Sequence, residues 1–228
     1  MTSEHQGRDG GAALLDERQA LTRVAELEEA LSRQTALVHE IDHRVKNNLQ
    51  LISSLMLLQS RRIGDDNTRG VLRSMLERVT AVATVHRKLF QGDDHRWVDV
   101  NDFARDLVGD LAMGAGREDI TITLDLEHVF IAAASAAPFA LIINELVGNA
   151  LKHAFPDRPG RIAVSVAADG DTCVLTVADD GVGLDGATPG FGSTIVQLLG
   201  RQLHATQDTT TSADGVRVVV RTPAKARL

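Results

Sequence analysis

The chain has no tyrosine, one tryptophan (Trp97) and one cysteine (Cys173) among 228 residues. So few aromatics argue against base stacking as a way of holding nucleic acid. A single cysteine cannot form an internal disulfide, and its alternating apolar surroundings assign it to core packing. Long hydrophobic runs are missing as well. No window approaches about 18 uninterrupted apolar residues, and no basic region precedes an apolar stretch at the N-terminus; neither a membrane span nor a signal peptide is expected. Basic charge is not in excess. Lys and Arg number 24 against 31 Asp and Glu, giving a net charge of −7, which argues against a general nucleic-acid binder and fits a cytoplasmic enzyme. What is present is a hydrophobic content of 43%, enough for one large or two small cores.

Residues 1–11 are polar and Gly-containing and read as a disordered tail. Residues 12–36 read as a coiled-coil-like helical extension. One heptad register places Val24, Leu31, Val38, Val45, Ile52 and Gln59 at a, and Leu27, Gln34, Ile41, Asn48 and Leu55 at d. Leu49, Leu51, Met56, Leu57 and Leu58 widen the stripe, as suits a four-helix bundle. A turn over 61–67 and a second helix ending near Gln91 complete an antiparallel helical hairpin over 37–92. Its long apolar face predicts a homodimer through residues 37–91, closing as a four-helix bundle.

From 93 to 228 the pattern changes. The expected elements are a strand near 98–100, a helix over 102–113, a strand over 119–126 and an Ala-rich helix over 135–154. Alternating strands over 161–167 and 172–178 precede a Gly-rich loop. A helix over 193–203 and strands near 205–211 and 216–222 follow. Helices with mostly antiparallel strands predict an α+β sandwich, so the chain as a whole is expected to be multi-domain, α followed by α+β.

Four constellations carry chemistry. In the heptad register His43 falls at f, away from the seam, on an exposed strip with Glu40 and Asn47. An exposed imidazole can be phosphorylated on nitrogen if a base takes its proton or fixes its tautomer, and Glu40 and Asp42 are the candidates. The second is Asn144-Glu145-Leu146-Val147-Gly148-Asn149-Ala150-Leu151-Lys152-His153. On a helix Glu145, Asn149 and Lys152 share one side, where a carboxylate, an amide and an ammonium can hold Mg²⁺ and steer a polyphosphate. Two asparagines in an interior turn are poor helix formers and need a reason. The third is Asp179-Asp180-Gly181-Val182-Gly183-Leu184, at a strand end, where a carboxylate can accept from an adenine amino group. The fourth is Pro189-Gly190-Phe191-Gly192-Ser193, which opens a helix whose N–H groups suit phosphate oxygens.

With these residues the chain resembles the sensor histidine kinases of the HWE-related class. His43 to Gln50 (HRVKNNLQ) looks like their H-box. Asn144–Phe155 is similar to the N-box of the GHKL ATPases, Asp179–Leu184 to the G1 box, and Gly190–Ser193 to the G2 box and lid end. The resemblance covers about residues 37–222. It implies a dimerisation and phosphotransfer hairpin over 37–92 joined to a Bergerat-type α/β sandwich that binds ATP over 93–228. It further implies that His43 is the phosphoacceptor and Asn149 the Mg²⁺ ligand, helped by Glu145, with Lys152 on phosphate and His153 beside it. Asp179 would bind adenine in a pocket shaped by Gly181 and Gly183, and Gly190, Gly192 and Ser193 would shape the lid. Four positions depart from common patterns: Arg44 stands where many relatives carry an acid, Asn144 where HWE enzymes proper carry His, and Phe191 and Ser193 where many carry Leu.

The implied activity is ATP-dependent autophosphorylation of His43, followed by transfer to an aspartate of a response-regulator receiver domain. Asn47 is a candidate for orienting water in a reverse phosphatase reaction. Input is expected through residues 12–36, from an upstream partner or a further domain. The alternatives are a phosphotransfer adaptor with a degenerate sandwich that binds no ATP, and a GHKL serine kinase, which leaves HRVKNNLQ without a purpose.

Overall fold

In a computed structural model, residues 6–89, 96–184 and 190–225 are described, with the side chains of residues 6–20, His39 and Asp42 outside the described set. The chain divides into two compact units, residues 1–45 and 46–228.

The first unit is the N-terminal part of helix α1 (Gln6–Arg62). Its heptad residues Val24, Leu27, Leu31 and Ile41 are exposed, and ion pairs such as Arg33–Glu29 at 3.1 Å brace the surface at helical spacing. Of the disordered tail expected over 1–11, residues 1–5 lie outside the described residues, and the helix begins at Gln6. Extending an existing helix is far cheaper than nucleating one, so the glycines at 7, 10 and 11 do not stop it.

The second unit begins within α1, which ends at Arg62 and is followed by α2 (Asp66–Leu89) after a short turn. Asp65 caps α2: its carboxylate accepts from the Thr68 N–H at 2.8 Å, and the Thr68 bonds hold its pKa below the usual carboxylate value. The second helix of the expected hairpin makes its contacts within the chain on the sandwich. α2 packs against α3 (Val100–Ala115) and α4 (Ala133–Asn149), and Ala81, Thr84 and Val85 are buried with the core of the sandwich. Leu51, Ile52, Leu55 and Leu58 of α1 remain exposed.

The sandwich sheet has five strands in the order β2-β4-β5-β7-β6: β2 (Ile120–Leu126), β4 (Gly160–Asp169), β5 (Thr172–Asp179), β6 (Thr206–Ser212) and β7 (Gly215–Pro223). A two-stranded sheet joins β1 (Trp97–Asp99) to β3 (Phe130–Ala132). Alternation on β4 and β5 turns Ile162, Val164, Val166, Cys173, Leu175 and Val177 inward, against Phe103, Phe139, Ile142 and Ile143 of the helices. The pairing is antiparallel except that β2 lies parallel to β4, with Ile120 opposite Gly160. A parallel pair needs a long crossover, and β3 with α4 supplies it.

Asp99 caps α3 by accepting from the Asn101 N–H at 3.0 Å, and Gly116 ends that helix with a left-handed φ of 62°. The Ala-rich helix expected over 135–154 is α4 followed by a π-helical turn over Ala150–Ala154. Ala133–Ala154 is long and apolar enough to cross a membrane by length and composition, though Ser135, Asn144 and Glu145 interrupt it; its best window is 67% buried within the fold, where that apolarity serves the core. The last helix, α5 (Phe191–Gln202), starts at Gly190, whose backbone is extended.

Candidate functional site

α4 is buried on nearly all sides, yet it carries Asn144 and Glu145 into the interior at 3% and 5% exposure. Their neighbours Ile142, Ile143, Leu146 and Val147 fill the core, which fixes the helix rotation and aims the polar pair at one cavity. That cavity, of about 680 Å³, is lined by Asn144, Glu145, Gly148, Asn149, Lys152, His153, Phe191 and Gly192, and by residues of α2 that include Glu77 and Arg78. Asn149 is exposed one turn beyond Glu145. Lys152 and His153 stand exposed on the π turn, a feature that often marks functional sites.

The N-terminus of α5 closes over this group. A Cβ at Gly192 would lie 2.7 Å from Glu145 Oε2 and 3.4 Å from the Asn149 amide, so a side chain there would force the Glu145 carboxylate to shift. Asn144 Nδ2 donates to Glu145 Oε1 at 3.3 Å, while Asn144 Oδ1 is buried with no hydrogen-bond partner among the described residues. A buried acceptor left open beside a buried carboxylate is the setting a bound polar group would complete.

A second group forms where β5 ends. Asp179 Oδ1 accepts from the Gly181 N–H at 2.9 Å and the Val216 N–H at 3.3 Å. Burial raises its pKa above the usual carboxylate value, and these two bonds work against that shift. Gly183 has φ 75°, and a Cβ there would meet the Ser212 carbonyl oxygen at 2.2 Å. The Val182 N–H donates to the Ala154 carbonyl at 3.0 Å, which ties this loop to the end of the π turn. At the start of α5, Ser193 Oγ donates to the Gly190 carbonyl at 2.6 Å.

On α1, His43 and Asn47 are exposed. The Glu40 carboxylate, a candidate base, is held by Arg44, whose Nη2 and Nε donate to Oε1 at 2.6 and 3.0 Å. The residue in the place of an acid thus engages one of the two candidate acids. The Asp42 side chain, the other candidate, lies outside the described residues.

The structure therefore brings Glu145, Asn149, Lys152, His153 and Gly192 onto one cavity, and places Asp179, Gly181 and Gly183 at the loop joined to its N-box end. Sequence reasoning missed Glu77 and Arg78. Arg78 forks onto Glu145, with Nε and Nη2 donating at 2.8 and 3.0 Å, and Lys152 Nζ donates to Glu77 at 2.7 Å. Neither sits in a local motif; only the docking of α2 on α4 makes them part of the site.

Two oxygen donors, from Glu145 and Asn149, suit a magnesium ion that completes its shell with water and substrate phosphates. Among the described residues no group of three or more His, Cys, Asp or Glu is arranged for a metal held by protein alone.

Comparisons with known proteins bear on this geometry. Residues 40–114 match a family described as histidine kinase. Residues 134–226 match the family of histidine kinase-, DNA gyrase B- and HSP90-like ATPases. The Sensor histidine kinase PdtaS of Mycobacterium tuberculosis is 33% identical over 204 residues, covering 88% of this chain and 39% of that protein. Blue-light-activated histidine kinase 2 of Erythrobacter litoralis is 29% identical over 204 residues, covering 85% of this chain and 58% of that one. The chain thus spans about two fifths of the length of the mycobacterial relatives. Among solved structures, the histidine kinase domain of an Erythrobacter litoralis blue-light activated histidine kinase superposes with a TM-score of 0.62 at 21% identity, over 76% of this chain and 95% of that one. At that identity the likeness establishes the fold.

Proposed function

The chain belongs to the histidine kinase family, and on that footing we propose that it transfers the γ-phosphoryl group of ATP to His43. One observation carries the reading: the Gly192 backbone closes directly over Glu145 and Asn149, on the cavity they share with Lys152.

In this reading Glu145 and Asn149 hold Mg²⁺, Lys152 faces phosphate, and His153 stands beside it. Asp179 accepts from the adenine amino group. Gly181 and Gly183 let the loop pass close to the base, and Gly190, Gly192 and Ser193 set the start of α5. Mg²⁺ held by Glu145 and Asn149 would supply charge neutralisation for the phosphates. At His43 one imidazole nitrogen forms the N–P bond as the β–γ P–O bond breaks, ADP leaves, and the imidazole gives up a proton. Asp42 and Glu40 are the acids nearby in sequence, and the Glu40 carboxylate is paired with Arg44 at 2.6 Å. Asn47, one turn beyond His43, orients water in the reverse direction.

The phosphoryl group then passes to an aspartate of a response-regulator receiver domain. The exposed seam of α1 supports a homodimer through residues 37–91, with 37–92 as the phosphotransfer helices, 93–228 as the ATP-binding domain and 12–36 as the input segment. An adaptor with a degenerate sandwich would have no use for the buried Glu145 or the bare Gly192.

Incubation with labelled ATP tests this proposal. Wild type gains acid-labile, base-stable label, and His43→Ala and Asn149→Ala gain none. Equal labelling of wild type and His43→Ala would rule out His43 as the acceptor.

A further inference from the structure

Adjacent residues of α2 hold both charged side chains of the N-box. Arg78 meets Glu145 fork to fork, with 18% and 5% of the two side chains exposed. Glu77 meets Lys152 at 2.7 Å, and its carboxylate also faces Arg73 at 3.6 Å. The Arg78 guanidinium stands 5.4 Å from the centre of the Phe191 ring, the first residue of α5. Acid then base on α2 therefore opposes acid then base on α4 and its π turn, in crossed pairs, with the start of α5 touching the same arginine.

Glu145 cannot stand alone. A carboxylate this buried needs a cation, and in this arrangement Arg78 fills both its oxygens. A divalent ion at Glu145 competes with that guanidinium for the carboxylate, and phosphate at Lys152 competes with Glu77 for the ammonium. The part of α2 that carries these contacts is lightly packed: Val71 and Met75 are 50% and 43% exposed, whereas Ala81 and Val85 beyond them are fully buried. The helix has a loose end at the site and an anchored end in the core.

We propose that Glu77 and Arg78 form an autoinhibitory clasp, which competes with Mg-nucleotide for Glu145 and Lys152 and is released when the site is loaded. This rests on the nucleotide reading given above. A protein that is clasped nine-tenths of the time binds about tenfold more weakly than its open form. The clasp thus makes the loose end of α2 a lever on nucleotide affinity, and loading in turn frees it.

Calorimetry with the Mg²⁺ complex of a non-hydrolysable ATP analogue, on the full chain, tests the clasp. Arg78→Gln is expected to tighten binding by about 5- to 10-fold, and Glu77→Gln by about 2- to 3-fold. Carbodiimide coupling of Glu77 to Lys152, read by peptide mass spectrometry, is expected in the free protein and to fall several-fold with saturating analogue. Should Arg78→Gln fail to fold, Glu77→Gln and the coupling still decide. Binding by wild type with no gain in either variant, or coupling that ignores the analogue, overturns the clasp alone. Weaker binding by Arg78→Gln overturns it too, and makes Arg78 a phosphate contact. No binding by any of the proteins overturns the nucleotide reading and the clasp with it.

Discussion

Gly192 on α5 faces Glu145 on α4 so closely that a methyl group would sit 2.7 Å from the carboxylate oxygen. Gly192→Ala must therefore push α5 off the N-box or force Glu145 from its place. The expected cost is about 1–3 kcal/mol of stability, as for other overpacked sites, with loss of nucleotide affinity. Chemical denaturation and calorimetry on the same variant check it; an unchanged affinity would mean that α5 is free to shift without consequence for the site.

Asp179 gives a pH prediction. Burial raises its carboxyl above the usual value, so on acidification it takes up a proton earlier than an ordinary aspartate. Only the ionised form is a full acceptor, so nucleotide affinity falls in mildly acidic buffer. For stability the sign is opposite. A raised carboxyl pKa favours the folded state at low pH, below the unfolded value, and that contribution is lost as pH rises through the folded value. Asp179→Asn is expected to lack the acid limb of the binding profile and to bind more weakly by about 2 kcal/mol. Calorimetry across the acidic range distinguishes the two profiles.

His128 is a second titrating site, remote from the cavity in role. Its Nδ1 lies 2.5 Å from Asp99 Oδ2, while the other oxygen of Asp99 caps α3. The hydrogen bond to Asp99, then its charge, raises the His128 pKa. The stabilisation is complete below the unfolded histidine pKa and fades as pH rises through the folded one. An NMR titration should find His128 above the usual value, and Asp99→Ala should return it there while costing about 1 kcal/mol for the lost cap. A His128 titration unaffected by Asp99→Ala would show that the pair does not persist in solution.

Cys173 is fully buried on β5, and burial pushes its thiol up to about 12. A neutral, enclosed thiol does not react. Labelling by a thiol reagent is expected to follow global unfolding of the sandwich, with no faster phase in the native protein. Rapid labelling under native conditions would mean that the β5–β7 region opens locally.

Much of the sandwich was legible because period-2 alternation on β4, β5 and β7 and the helical period of α3 and α5 are each local. The cavity residues were legible as chemistry: Asn144 and Asn149 contradict helix propensity, and such contradictions mark sites. The short strand β3 was missed since its three residues carry almost no pattern. The parallel β2–β4 pair was missed because strand direction depends on the intervening crossover. Docking of α2 was missed for a different reason. Ala81 and Val85 fit a bundle seam as well as a sandwich core, and periodicity tells which face is buried but not against what. Glu77 and Arg78 were invisible for the same cause.

The crossover between β2 and β4 has one more consequence. The helix that carries Glu145 and Asn149 is also the connection that lets Ile120 lie beside Gly160. Its removal would leave those strands with no route to their pairing. A descendant of this protein could therefore shed nucleotide chemistry by single replacements, one side chain at a time, but never by deleting the segment that performs it. The scaffold keeps the outline of the site long after any need for it has gone.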